Sequence, residues 1–92
     1  MNHQHLSPNL EVNVLGLRNF PWNYNGKSGI TRYLNIAYHD NDTTGYRVAE
    51  IKIPSLYTGE LDEFVGKTAI INTYVNDYNG KKDLCLYNIT AK

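Results

Sequence analysis

Alternating apolar and polar residues predict five β-strands in this 92-residue chain. Successive side chains of a strand point to opposite faces, so a strand with one buried face has an apolar residue at every second position. The apolar faces are expected to carry Val12 and Val14, then Leu34, Ile36 and Tyr38, then Ala49, Ile51 and Ile53. The predicted strands are LEVNVLGL at 10–17, TRYLNIAYHD at 31–40, YRVAEIKI at 46–53, TAIINTYVNDY at 68–78 and DLCLYNITAK at 83–92.

Glycine and proline predict where these strands bend and end. Gly16 interrupts the alternation of the first strand and predicts a bulge or a sharp bend. Pro54 ends the third strand, because proline cannot donate a hydrogen bond to a neighbouring strand. Asn79-Gly80 is typical of a tight hairpin between the last two strands. Between strands three and four, TGELDEFVGK predicts a short helix that Thr58 caps and Gly66 ends.

This order of elements predicts an all-β fold, a five-stranded Greek-key barrel of the OB type with a short helix between strands 3 and 4. A chain of this length forms one domain, so we expect a single OB-fold domain over 1–92, in which 1–8 is a flexible tail. A small open sandwich or an SH3-like barrel is the competing fold, although it usually lacks a helix at that point.

Composition narrows the classes of function. The longest apolar runs are only a few residues, and the start MNHQHLSPN does not resemble a signal peptide, so we expect a cytoplasmic protein without a membrane-spanning segment. The single Cys85 is expected to be a buried strand residue. Neither His3 and His5 nor His39 has the spacing of a known metal site, and no catalytic motif is present, so we predict no enzyme, metal or cofactor.

The formal net charge is zero, but the charge is unevenly distributed. Residues 1–37 and 67–92 each carry two surplus positive charges, and the middle of the chain carries four surplus negative charges. Basic charge therefore accompanies the two segments that would join strands one and two, and strands four and five.

Those two segments, FPWNYNGKSG at 20–29 and DYNGKKD at 77–83, also carry aromatic residues. In an OB-fold, the ligand lies on strands two and three between these two loops. Aromatic rings stack on the bases of a single strand, and Lys or Arg pairs with its phosphates. The predicted nucleic-acid-binding residues are Trp22, Tyr24, Tyr33 and Tyr78 for stacking, Arg18, Lys27, Arg32, Lys81 and Lys82 for phosphate contacts, and Tyr46 on the face of strand three between the two loops. Gly26 and Gly29 are expected to let the first loop close as a flap.

The chain resembles the small OB-fold single-stranded DNA-binding proteins of phages and other mobile elements, of which the filamentous-phage protein is the best-known kind. The resemblance covers the length and element order of the whole chain. It lies locally in Gly26-Lys27, in Tyr33-Leu34-Asn35, in Tyr38 and Asp40, and in the final Ala91-Lys92. It implies sequence-tolerant coating of single strands in the replication or transfer of a phage or mobile element, often by a homodimer.

Two other functions remain open at this stage. Trp and Tyr also stack on sugar rings, and the twelve Asn offer hydrogen bonds, so a carbohydrate-binding module is one alternative. A protein-interaction module that uses the same aromatic surface, including self-association, is another. The residues also leave open whether a nucleic-acid partner is DNA or RNA.

Overall fold

A computed structural model describes residues 8–39, 42 and 44–92, with Tyr78 described by its backbone alone. The predicted flexible tail, the two N-terminal histidines and Asp40 of the resemblance therefore lie outside the described residues, apart from Pro8. The described chain is all-β. Its strands are β1 (Leu10–Tyr24), β2 (Lys27–Tyr38), β3 (Arg47–Ile53), β4 (Thr68–Tyr78) and β5 (Lys81–Ala91).

The five strands form one sheet that closes on itself as a ring. The order of neighbours is β1-β2-β3-β5-β4, and β4 returns to β1 through the pairs Leu10↔Ile71 to Asn13↔Thr68. The β3–β5 pairing is parallel and has a single pair of directly opposed residues, Lys52↔Cys85. All the other neighbouring strands are antiparallel.

The apolar faces predicted from alternation line the inside of the ring. Leu34, Ile36 and Ile51 have no solvent-exposed surface, and Tyr38 is 9% exposed. Removing these side chains from water supplies the main driving force for folding. The prediction that Cys85 is a buried strand residue is also confirmed. The rest of the buried cluster is Val12, Val14, Ile53, Leu61, Ala69, Ile71, Leu86 and Ile89.

The bulge predicted at Gly16 is confirmed. The β1–β2 register shifts between Val14 and Gly16, so Leu15 has no partner of its own on β2, and its side chain is 54% exposed. The extra residue shifts the alternation by one position, so even-numbered residues point inward before the bulge and odd-numbered residues point inward after it. After the bulge, Leu17 lies opposite the buried Leu34, and Arg18 lies on the outer face opposite Tyr33.

The predicted helix between strands three and four is wrong. Only a 3-10 turn forms there, η1 (Asp62–Phe64), which follows Leu61 rather than Thr58 and has no side-chain cap. After this one turn the chain is hydrogen-bonded to β1 again. Gly66 N–H donates to Val14 C=O at 2.8 Å, and Val14 N–H donates to Lys67 C=O at 2.9 Å. Gly66 has φ +82°, which fits its predicted role as the residue that ends the turn.

The predicted flexible loop over 20–29 is also wrong, because it forms part of a regular hairpin. The strands β1 and β2, here called the first hairpin, stay paired up to Tyr24↔Lys27 and are joined by Asn25 and Gly26 alone. These two residues have φ +53° and +74°, the left-handed conformations that a tight I′ hairpin turn needs. Pro21 is tolerated because β1 pairs with β4 only as far as Asn13, which leaves the outer edge of β1 without a partner strand here.

The hairpin predicted at Asn79-Gly80 is confirmed. The strands β4 and β5, here called the second hairpin, pair from Ala69↔Ala91 to Tyr78↔Lys81, and the two turn residues have φ +52° and +79°. Among the described residues, no helix has the length and hydropathy needed to cross a membrane.

Candidate nucleic-acid interface

One row of directly opposed residues crosses the ring on its outer face. Arg18 pairs with Tyr33, Tyr33 with Lys52, Lys52 with Cys85, and Cys85 with Tyr74. Residues that are directly opposed on neighbouring strands point to the same face of the sheet. This central row therefore brings together an arginine, a lysine and two tyrosines that are far apart in the sequence.

A groove of about 640 Å³ lies beside the end of this row that is away from Arg18 and Tyr33, and it extends between the two hairpins. Trp22 and Ile30 line it from the first hairpin, and Tyr74 and Asn76 line it from the second. The two hairpins therefore face a common cleft. The remaining lining residues are Asn19, Thr31, Arg32, Lys52, Ile53, Pro54, Ser55 and Cys85.

Trp22 is positioned in the groove by a glycine on the opposite strand. It lies across from Gly29, and a Cβ added to Gly29 would come within 2.6 Å of Trp22 Cζ2. The indole ring therefore lies directly against the bare backbone of β2. With 42% of its surface exposed, Trp22 still presents aromatic area to a ligand.

Arg18 covers the ring of Tyr33 and is itself held by an acid. The guanidinium carbon lies 4.6 Å from the Tyr33 ring centroid and 5.6 Å from that of Phe20. Its Nε and Nη2 donate to the two carboxylate oxygens of Glu50 at 2.8 and 3.0 Å. These hydrogen bonds lower the pKa of Glu50 and raise that of Arg18. A base reaches this face of Tyr33 only if Arg18 moves, or it stacks on the guanidinium plane instead.

The middle of the central row is also neutralised. Lys52 Nζ lies 3.4 Å from a carboxylate oxygen of Asp83. Burial raises the pKa of the neighbouring Cys85 thiol, and the charge of Asp83 raises it further. Burial also raises the pKa of the Tyr74 hydroxyl, and Cys85 adds to that shift. Cys85 and Tyr74 are therefore uncharged at neutral pH, and this part of the groove is polar without a net charge.

Arg32 is the half-buried cation at the end of the groove. Its Nη2 donates to the Tyr57 carbonyl oxygen at 3.2 Å, across 25 residues of sequence. Within the part of the chain that the structure describes, no carboxylate forms an ion pair with it. It lies directly opposite Asn19 on β1, and both residues line the groove.

The tips of the two hairpins have the same tetrapeptide, Tyr-Asn-Gly-Lys, at 24–27 and 78–81. In each, the tyrosine and the lysine are directly opposed on either side of the turn. Tyr24 is 72% exposed, and neither Lys27 nor Lys81 has an ion-pair partner among the described side chains. Lys82, in contrast, lies 3.3 Å from a carboxylate oxygen of Asp77.

Positive charge is concentrated in the segments that build the groove and the hairpin tips. Residues 16–33, 50–55 and 74–85 contain six basic side chains against three acidic ones. The rest of the chain contains three basic side chains against six acidic ones. A protein with no net charge thus has a surplus of three positive charges around the groove, the sign that attracts a polyanion.

Of the predicted site residues, Trp22 and Arg32 line the groove. Arg18 and Tyr33 belong to the central row but do not line the groove. Tyr24, Lys27, Lys81 and Lys82 lie at the hairpin tips. Tyr78 ends β4, and its side chain lies outside what the structure describes.

Tyr46 lies apart from the other predicted residues. It precedes β3, at the end of the β2–β3 pairing where Tyr38 faces Arg47, whereas the groove adjoins the other end, where Arg32 faces Ile53. Its ring centroid lies 4.1 Å from that of His39, and it lines a separate cleft with residues such as Leu10 and Thr68.

Sequence reasoning missed Tyr74 and underrated Lys52. The alternation that buries Ala69 and Ile71 already predicts an outward Tyr74. Tyr74 follows them by five and three residues, and side chains an odd number of positions apart point to opposite faces of a strand. The sequence does not show the closure of the ring, which brings Tyr74 of β4 into the same groove as Trp22 of β1. Alternation with Ile51 and Ile53 predicts that Lys52 lies on the outer face of strand three, but its position in the middle of the central row depends on the β3–β5 contact.

No group of three or more potential metal ligands occurs among the residues that the structure describes. Comparisons with protein-family models, with curated proteins and with solved structures find no match to the chain. The function proposed below is therefore inferred from the residues of the groove.

Proposed function

We propose that the protein binds single-stranded DNA in the groove, with little sequence preference and without catalysis or a cofactor, and that its ring of strands is an OB-type barrel. The ring order β1-β2-β3-β5-β4 with one parallel contact supports the OB assignment, and so does the position of the groove between the first and second hairpins.

The proposal depends above all on Trp22 and Tyr74. They come from different hairpins, line the same groove, and each keep 42% of their surface exposed. Two aromatic walls facing one cleft suit a chain of flat rings, because every base presents a face that can stack, whatever its identity.

The distribution of charge supports a strand whose bases lie inward and whose phosphates lie at the rim. In the middle of the groove Lys52 is neutralised by Asp83, whereas Lys27 and Lys81 at the hairpin tips have no ion-pair partner among the described residues. Phosphates gain most from cations that no carboxylate already occupies. The strand would therefore place its backbone along the tips and its bases between the aromatic walls.

Fluorescence of the sole tryptophan tests the proposal. Titrating an oligothymidine should change Trp22 emission in a saturable way, and the apparent affinity should fall steeply as salt rises. No change in emission with any single strand, at low or high salt, would remove the nucleic-acid function.

Two tyrosine variants test the location of the site. Tyr74→Ala should weaken binding by about 1 to 3 kcal/mol, because it removes a stacking surface from the groove. Tyr46→Ala is the matched control, because Tyr46 is 55% exposed and does not line the groove. Equal effects of the two substitutions would contradict binding in the groove.

A neutral oligosaccharide is the second candidate ligand, and one observation favours it. Arg18, Lys52 and Lys82 already form ion pairs with carboxylates of the protein. Aromatic walls with a neutralised floor also suit sugar rings. Sugar binding would respond little to salt, so the same titration separates the two ligands.

The cellular setting is proposed mainly from the resemblance. A role in the replication or transfer of phage or mobile-element DNA and a homodimer both come from it, and the cytoplasmic location expected from the sequence is proposed with them. DNA is proposed ahead of RNA on the same ground.

A further inference from the structure

We propose that Arg32, Asn19 and Ser55 form a discrete oxyanion subsite at the end of the groove, which takes a single phosphate group. The inference rests on the nucleic-acid function proposed above, because a nucleic acid would supply that group. It adds one defined phosphate position to a site in which the tip lysines act as diffuse counter-charges.

Arg32 is the central residue of the subsite, because it is partly buried and has no carboxylate partner among the described residues. Arginine residues that are withdrawn from water are usually paired with an acidic residue, because an uncompensated charge is costly to bury. Arg32 is half-buried, yet its hydrogen bond among the described residues goes to a neutral acceptor, the Tyr57 carbonyl oxygen. One of its five N–H donors is used there, and the others remain available to a ligand.

Lys52 provides the contrast within the same groove. It is also half-buried, but Asp83 lies 3.4 Å from its Nζ and neutralises it. Of the two cations that line the groove, Arg32 is thus the one without an acidic partner in the described chain. The groove presents its unneutralised charge at this end.

The surroundings of Arg32 suit an oxyanion. Asn19 is directly opposite on β1 and offers an amide donor, and Ser55 on the adjoining loop offers a hydroxyl donor. The hydrogen bond to Tyr57 holds the guanidinium in place. A fixed arginine fork with neutral donors around it favours phosphate, whose oxygens accept charge-assisted hydrogen bonds from the planar guanidinium.

Inorganic phosphate is the simplest probe of the subsite. Added to isotope-labelled protein, it should cause saturable NMR shifts at the Arg32 Nε–H and at the amides of Asn19 and Ser55. In Arg32→Gln, which lacks the Nε–H group itself, the shifts at the amides of Asn19 and Ser55 should disappear. They should persist in Lys67→Gln, which removes one exposed positive charge beyond the groove. Shifts that are absent, or equal in both variants, would overturn the subsite.

A second substitution guards against loss of the fold. Ser55→Ala alters an exposed loop residue and leaves the Arg32–Tyr57 hydrogen bond intact, so it should fold normally and bind phosphate more weakly. In Arg32→Gln, retained amide shifts in the buried core would confirm that the ring is intact. A folded Ser55→Ala and a folded Arg32→Gln that both bind phosphate like the parent would contradict the proposal.

Oligothymidines with and without a 5′-phosphate distinguish the source of the group. Tighter binding of the phosphorylated strand, lost in Arg32→Gln, assigns the subsite to a strand end. Equal binding of the two strands, weakened by about tenfold or more in Arg32→Gln, assigns it to an internal phosphodiester. Localised phosphate binding without any binding of single strands would contradict the proposed function and leave the subsite standing. Strand binding that is unchanged in Arg32→Gln would contradict the subsite and leave the proposed function standing.

Discussion

Replacing Glu50 with Gln should free Arg18 and make DNA binding more sensitive to salt. In the parent protein, the Glu50 carboxylate accepts two hydrogen bonds from Arg18, at 2.8 and 3.0 Å. Gln has nearly the same shape but no charge, and its amide nitrogen cannot accept a hydrogen bond. The guanidinium, which already lies over the Tyr33 ring in the central row, would then be available to a phosphate.

The size of the effect follows from the number of phosphates neutralised. For a single strand, each added contact steepens the dependence of log affinity on log salt by about 0.7. Between about 50 and about 200 mM salt, one extra contact therefore adds a factor of about 2.6 to the loss of affinity. At low salt, the variant should bind more tightly than the parent.

The assay is the Trp22 titration with oligothymidine, repeated at four or more salt concentrations. Glu63→Gln is the control, because it removes one acidic charge from the 3-10 turn, which does not line the groove. A steeper slope in Glu50→Gln alone supports the reasoning. The same slope in both variants would show that only net charge matters, and an unchanged slope in Glu50→Gln would show that Arg18 does not reach a phosphate.

Two further predictions concern the folded protein. Gly29→Ala should push the Trp22 ring off β2, because the new Cβ would lie 2.6 Å from Trp22 Cζ2. The substitution should shift Trp22 emission and lower the stability of the fold by about 1 kcal/mol. Unaltered emission, or an equal cost in a Trp22→Ala background, would contradict this steric explanation. The ion pair with Arg18 keeps the pKa of Glu50 below its ordinary 4.5, so its contribution to stability is present above pH 4.5 and is lost as pH falls through the lowered value. Urea unfolding at a series of acid pH values should show a smaller loss in Glu50→Gln than in the parent.

The strands and the core could be predicted from the sequence because they depend on local alternation. Leu34, Ile36 and Ile51 are buried where the period of two puts them, and Gly16 lies at the bulge. The errors came where local signals competed. Asn25-Gly26 is the same hairpin signal as Asn79-Gly80, but the neighbouring Pro21 and Gly29 favoured a loop.

The candidate site was only partly predictable, because ring closure decides which residues meet. Trp22, Tyr33 and Arg32 follow from the first hairpin alone. Tyr74 joins them only when β5 pairs with β3, a contact between residues 33 positions apart. The ion pairs of Arg18 and Lys52 also cross strands, so the sequence could not show which cations are already neutralised.

The single pair between β3 and β5 makes that contact the weakest seam of the ring. Every other seam has at least four paired positions, whereas this one has Lys52↔Cys85 alone. Local opening starts where the fewest interactions have to break, so amide hydrogens that this seam protects should exchange faster than those in the other seams of the ring. Such opening would spread the middle of the central row while each hairpin stays intact, so the cleft can widen for a bulky ligand without unfolding either of its walls.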